Sequence, residues 1–171
     1  VKDLEEIAGA DTHAFAAQYP CRIPVWWARI GPVQKDPGLR GVSGRRVVVR
    51  IPKQFGRIEG WVAALVRAPK EIRRPLDTMN SMLWELCDGS RTFREVSQVM
   101  NDVFQEEIAP VLQRTTAAIG LLQSKNLMLM LDEPLNRRWT VGPGKTPEHQ
   151  GLEDPSSEFD YDWSMLEGEA P

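Results

Sequence analysis

Little in this chain can do covalent chemistry. Cys21 and Cys87 are widely separated, and neither belongs to a Cys-x-x-Cys pair. A disulfide framework or a structural zinc site would need more, and closer, cysteines. His13 and His149 stand in weakly patterned ends, so a catalytic metal has few ligands to recruit. No glycine-rich phosphate loop and no histidine-containing triad is present. The expectation is therefore a protein that is not an enzyme, with no metal and no cofactor. Asp88, Arg91 and Thr92 form the one polar constellation, but an Asp-Gly turn followed by a helix-capping Thr accounts for it. Cys87, near a helix end, reads as a small buried apolar residue.

Binding chemistry is better represented. Arg40, Arg45, Arg46, Arg50, Lys53, Arg57, Arg67, Lys70, Arg73 and Arg74 crowd the middle of the chain, opposed only by Glu59 and Glu71. After Gly142 the sign reverses: eight acids face Lys145 alone. A basic middle and an acidic tail can attract each other or seek separate partners. In the tail, Phe159, Tyr161 and Trp163 alternate with Asp160 and Asp162, so an extended strand would put the aromatics on one side and the acids on the other. These three aromatics are a candidate partner-binding tail, docking on a basic, apolar-lined surface of this chain or of an assembly partner. Trp26 and Trp27 read as a cap on an open sheet face, or else as a partner-facing anchor. Arg45, Arg46, Arg73 and Arg74 suit an acidic peptide or phosphate, or simply a solvated sheet edge.

The elements that must position these groups follow from periodicity. Residues 46–51 read as a strand, being rich in β-branched Val47, Val48, Val49 and Ile51. Residues 61–66 and 70–74 are expected as a second and third strand, the last polar enough for an exposed edge. Residues 25–30 are a further short strand, within an otherwise irregular extension over 1–44 that holds one possible helix between Leu4 and Ala17. From residue 77 the apolar period lengthens to that of a helix. Asp77 or Thr78 caps the first helix, and Asp88-Gly89 stops it. Thr92 and Glu95 form a capping box for the second. Pro110 opens the third, which ends at Lys125-Asn126. A hairpin of 127–131 and 138–141 would complete a three-helix winged helix-turn-helix. The fold class is α+β: a small antiparallel sheet, the helical core and a C-terminal wing over 45–141, flanked by the irregular extension and by an acidic tail over 142–171.

The run Leu83-Trp84-Glu85-Leu86-Cys87-Asp88-Gly89-Ser90-Arg91-Thr92-Phe93-Arg94-Glu95-Val96 resembles the PqqD family of peptide-modification chaperones, the RiPP recognition elements. The resemblance spans about residues 45–131, with Asn126 standing where that family usually has Gly. It implies that an extended peptide adds a strand to the sheet edge and packs along the last helix. The implied peptide-binding residues are Lys70, Glu71, Ile72, Arg73 and Arg74 on the edge, with Arg114, Ala118, Leu121 and Lys125 on the helix flank.

The function expected is that of a non-catalytic peptide- or protein-binding module whose partner is a precursor peptide, a modification enzyme or a larger assembly. A second reading is an accessory subunit anchored by its two extensions. A nucleic-acid-binding winged helix is disfavoured, because the second helix offers only Arg94 against Glu95 and Asp102. The longest apolar run is far too short for a transmembrane segment. Unpaired cysteines and the lack of a signal-peptide pattern point to a cytoplasmic setting.

Overall fold

A computed structural model describes residues 7–53, 71–148 and 150–171 of the chain. Three strands, β2 (Trp26–Val33), β3 (Arg45–Pro52) and β4 (Glu71–Pro75), form an antiparallel sheet in the order β2-β3-β4. A second, two-stranded sheet pairs β1 (Tyr19–Arg22) with β5 (Met128–Leu131). Between them come α1 (Thr78–Leu86), α2 (Phe93–Phe104), a 3-10 turn (Gln105–Ile108) and α3 (Val111–Ser124). The chain is thus α+β with small antiparallel sheets and three helices.

Local chemistry explains the helix ends. The Asp77 side chain accepts from the Asn80 amide at 2.7 Å and starts α1. Thr92 accepts from the Glu95 amide while Glu95 accepts from the Thr92 amide, the reciprocal capping box that starts α2. Past α3, Asn126 takes the left-handed conformation at φ 54°, as a helix exit requires.

The helices cover one face of the larger sheet. Trp27, Val47 and Val49 point inward and share a core with Met82, Leu83, Leu86, Phe93, Val96, Met100, Ile119 and Leu122. Strand alternation sends Trp26, Val48 and Arg50 to the other face, yet these too are no more than 3% exposed. A strand buried on both faces reads as an unbroken apolar run, and Val47-Val48-Val49 is one. Something must cover the outer face, and the C-terminal residues do so.

Three features depart from the expectations. The C-terminal hairpin does not form: residues 138–141 carry no strand, and β5 pairs with β1 from the N-terminal stretch. Instead β1 takes the edge of β5 that a wing would have used, and Asn136 and Arg137 in the intervening stretch are left-handed (φ 49° and 58°). Nor is there a helix over 7–17, where left-handed Gly9 interrupts a series of turns; Ile7 and Phe15 nonetheless pack on the core. Residues 19–22, expected as irregular chain, form β1, while the strand expected over 25–30 is β2. The strand expected over 61–66 lies outside the described residues. Among the described residues no helix is long and apolar enough to cross a membrane.

Candidate functional site

The outer face of the three-stranded sheet is built by register. Trp26 on β2 pairs with Arg50 on β3, and Arg50 pairs with Arg73 on β4. One stripe across the sheet therefore reads aromatic, cation, cation. The Arg50 guanidinium lies over the Trp26 ring at 4.5 Å and is held by Glu71 through Nε at 3.1 Å and Nη2 at 2.5 Å. Both groups are largely removed from water, where a cation over an aromatic face is worth more than at the surface.

The C-terminal residues lie on this stripe. Tyr161 meets Trp26 edge-on at 5.2 Å, and Trp163 meets it at 6.0 Å. Arg73 sits over Phe159 at 4.2 Å and donates from Nε to the Tyr161 hydroxyl at 2.8 Å. Phe159 stacks on Tyr161. The free edge of β2 is used as well: the Arg29 amide donates to the Asp162 carbonyl at 2.8 Å, and the Asp162 amide returns a bond to the Arg29 carbonyl at 2.9 Å. That is an isolated antiparallel bridge, the minimal form of strand addition. The Asp162 side chain takes an ion pair from Arg45 at 2.6 Å. Hydrogen bonds from Ser164 and this arginine hold its carboxyl down at about 2.

Beyond the edge, the tail is locked by arginines that sequence alone did not single out. Arg29, 1% exposed, is shared between Glu85 (Nε, 2.6 Å), Glu169 (Nη2, 2.5 Å) and the Ser164 carbonyl. Burial acts to lower its pKa, but attraction to Glu85 and the hydrogen bonds to Glu169 and Glu85 raise it overall. Arg22 is equally buried and donates to the carbonyls of Val141, Trp84 and Glu85. Desolvation lowers its pKa, against the pull of Asp88, Glu169 and Glu85. These two guanidiniums flank the Trp27 ring at 4.9 and 5.0 Å. The Val141 carbonyl also accepts from Trp27 Nε1, and its amide donates to the Pro171 carbonyl.

The other polar groups have structural roles. Asp88 accepts from the Ser90 amide and hydroxyl and from Arg91, which is turn chemistry. Cys21 and Cys87 are free and buried; burial pushes the Cys21 thiol up to about 11 and raises Cys87 as well. His13 stacks on Phe93. Among the described residues no group of three or more His, Cys, Asp or Glu could hold a metal. A cleft of about 570 Å³ lies between Asp88–Ser90, Pro134–Arg137, Trp139 and residues 168–171.

The expected peptide-binding residues divide into two sets. Arg73 and Glu71 belong to the outer face, whereas Ile72 and Arg74 alternate to the side that pairs with Ile51 and Val49. Arg114, Ala118, Leu121 and Lys125 share a flank of α3: Leu121 is 55% exposed, Ala118 packs partly on the core, and Arg114 is turned to the Glu107 carbonyl. No hydrogen bond, ion pair or ring contact joins these helix residues to Glu71–Arg74 among the described residues. Lys70 lies outside them. What the structure brings together instead is Arg73 with Phe159 and Tyr161, and Trp26 with Trp163. The unbroken valine run on β3 was the signal that both sheet faces are covered. No protein-family model matches the chain, and neither a curated protein nor a solved structure does.

Proposed function

We propose that this chain is a non-catalytic peptide- and protein-binding module whose three-stranded sheet takes up an extended segment, as the resemblance to PqqD-like recognition elements implies. One observation carries the reading: the sheet already holds such a segment, its own residues 159–163, by an edge bridge at Arg29 and by arginine and aromatic contacts at Arg73 and Trp26. Backbone pairing supplies affinity independent of sequence, and side chains on alternate positions supply selectivity. The accessory-subunit reading loses ground, because the C-terminal extension is bound by buried arginines of its own domain and is not a free anchor.

Panning the full-length chain against a displayed library of random peptides tests the proposal. The expected result is enrichment of peptides that slow amide exchange in β2 and β3 when added to the chain. Failure of any peptide to enrich, or enriched peptides that protect only other elements, would overturn it.

A further inference from the structure

Resting on the peptide-binding reading, we propose that the outer sheet face is the docking surface for an acidic, aromatic-rich extended segment of a partner protein, and that residues 157–165 are its resident occupant, which the partner displaces.

The surface itself defines the ligand. Arg73 and Trp26 present a cation and an aromatic edge to rings spaced two residues apart, and Arg45 waits at the β2 edge for the carboxylate between them. A segment with aromatics at alternate positions and an acid between them satisfies all three at once, because period-two alternation matches a strand. The resident meets these requirements through Phe159, Tyr161, Asp162 and Trp163.

The resident is also attached unevenly. Its rear end is fixed inside the protein: Glu169 is 2% exposed on Arg29, its second oxygen accepts from the Leu166 amide, and Pro171 is tied to Val141. Its front lies on the surface, with Phe159 39%, Trp163 47% and Met165 46% exposed. The fit is incomplete where the segment approaches over Arg50. A cavity of about 230 Å³ remains between Arg50, Glu71, residues 151–154 and Ser156, and the buried Arg50 Nη1 has no hydrogen-bond partner among the described residues. A partner segment bringing a carbonyl or carboxylate to that nitrogen gains a bond that the resident does not make. The front can leave while the rear stays: it gives up the Asp162 bridge and the Ser164 carbonyl's bond to Arg29, while Glu169 and Pro171 keep theirs to Arg29 and Val141.

The test uses full-length protein and a labelled synthetic peptide with the sequence of residues 157–166. It is titrated into the wild-type chain and into a chain carrying Tyr161→Ala and Trp163→Ala. If the resident keeps the site open in about a tenth of molecules, loosening it tightens peptide binding about tenfold. Adding Arg73→Glu to the loosened chain should return binding to the wild-type level or below, while Arg94→Glu, on the remote α2 surface, should change nothing. Should the double variant lose its circular dichroism, Trp163→Ala alone, at a half-exposed position, serves with the same direction of effect. Equal affinity for wild-type and loosened chains, or binding indifferent to Arg73→Glu, overturns the resident-occupant proposal. If library-selected peptides still protect β2 and β3 in that event, the peptide-binding reading stands without it.

Discussion

Arg29 and Glu85 meet at 2.6 Å with side chains 1% and 0% exposed, so a buried ion pair links β2 to α1. Ser43 adds two more bonds to Glu85, from its amide at 3.1 Å and its hydroxyl at 3.0 Å. Such a cluster adds little stability when whole but is costly to break: without the Glu85 carboxylate, buried Arg29 keeps only the Glu169 carboxylate and Ser43 loses its charged acceptor. Glu85→Gln should therefore destabilise the fold by about 3 kcal/mol, read as a lower midpoint in urea at an unchanged slope. Glu169→Gln removes the other carboxylate on Arg29, and its larger effect should be on amide protection of residues 163–171.

Gly144 packs directly against Trp163. Its φ is +69°, and a Cβ there would stand 2.6 Å from the Trp163 side chain. Gly144→Ala should lose about 1–3 kcal/mol through backbone strain and push Trp163 off Trp26. Raised tryptophan quenching by acrylamide would report that movement, and unchanged quenching would contradict it.

The Asp162 carboxyl is held at about 2, chiefly by hydrogen bonds from Ser164, with Arg45 adding to them. A depressed carboxylate pKa contributes stability above the unfolded value of 3.8, lost as pH falls through about 2. The tail's bridge to β2 should thus be insensitive to pH between 5 and 8 and weaken only in that acid window. Carboxyl carbon shifts of Asp162 in an NMR titration, beside the exchange rate of its amide, would check this.

Both cysteines should be silent in the native protein. Burial raises Cys21 to about 11 and raises Cys87 too, so hardly any thiolate exists at pH 8. Ellman's reagent should find no fast-reacting thiol in the folded chain and two in denaturant. Fast reaction of either under native conditions would count against their buried placement.

Removing the reciprocal cap of α2 by Thr92→Ala should cost about 1 kcal/mol, measured by thermal or chemical unfolding. Thr92→Ser should recover most of that loss.

What could be read from the residues alone was local. The Asp77 cap, the Thr92–Glu95 box, the left-handed Asn126 and the strand at Val47–Val49 each depend on groups within a turn or on simple alternation, and all stand in the structure. The α+β class follows from the change of apolar period at residue 77. The alternating rings of 159–163 were likewise visible, as was the opposite charge of the chain's middle.

Tertiary structure decided everything that joins distant segments. β5 could have paired with 138–141 or with 19–22; backbone donors and acceptors are alike in both, and only the packing of the folded chain chose β1. The split of Trp26 to the outer face and Trp27 to the core depended on which face the helices cover. Nothing in the sequence marks Arg22, Arg29 and Arg50 as buried, because burial of a guanidinium is set by acceptors that folding brings from elsewhere: the Val141 and Glu153 carbonyls, Glu85 and Glu169. Side-chain type told which groups could bind an acidic, aromatic strand; only the packed chain determined that the strand bound to them is its own.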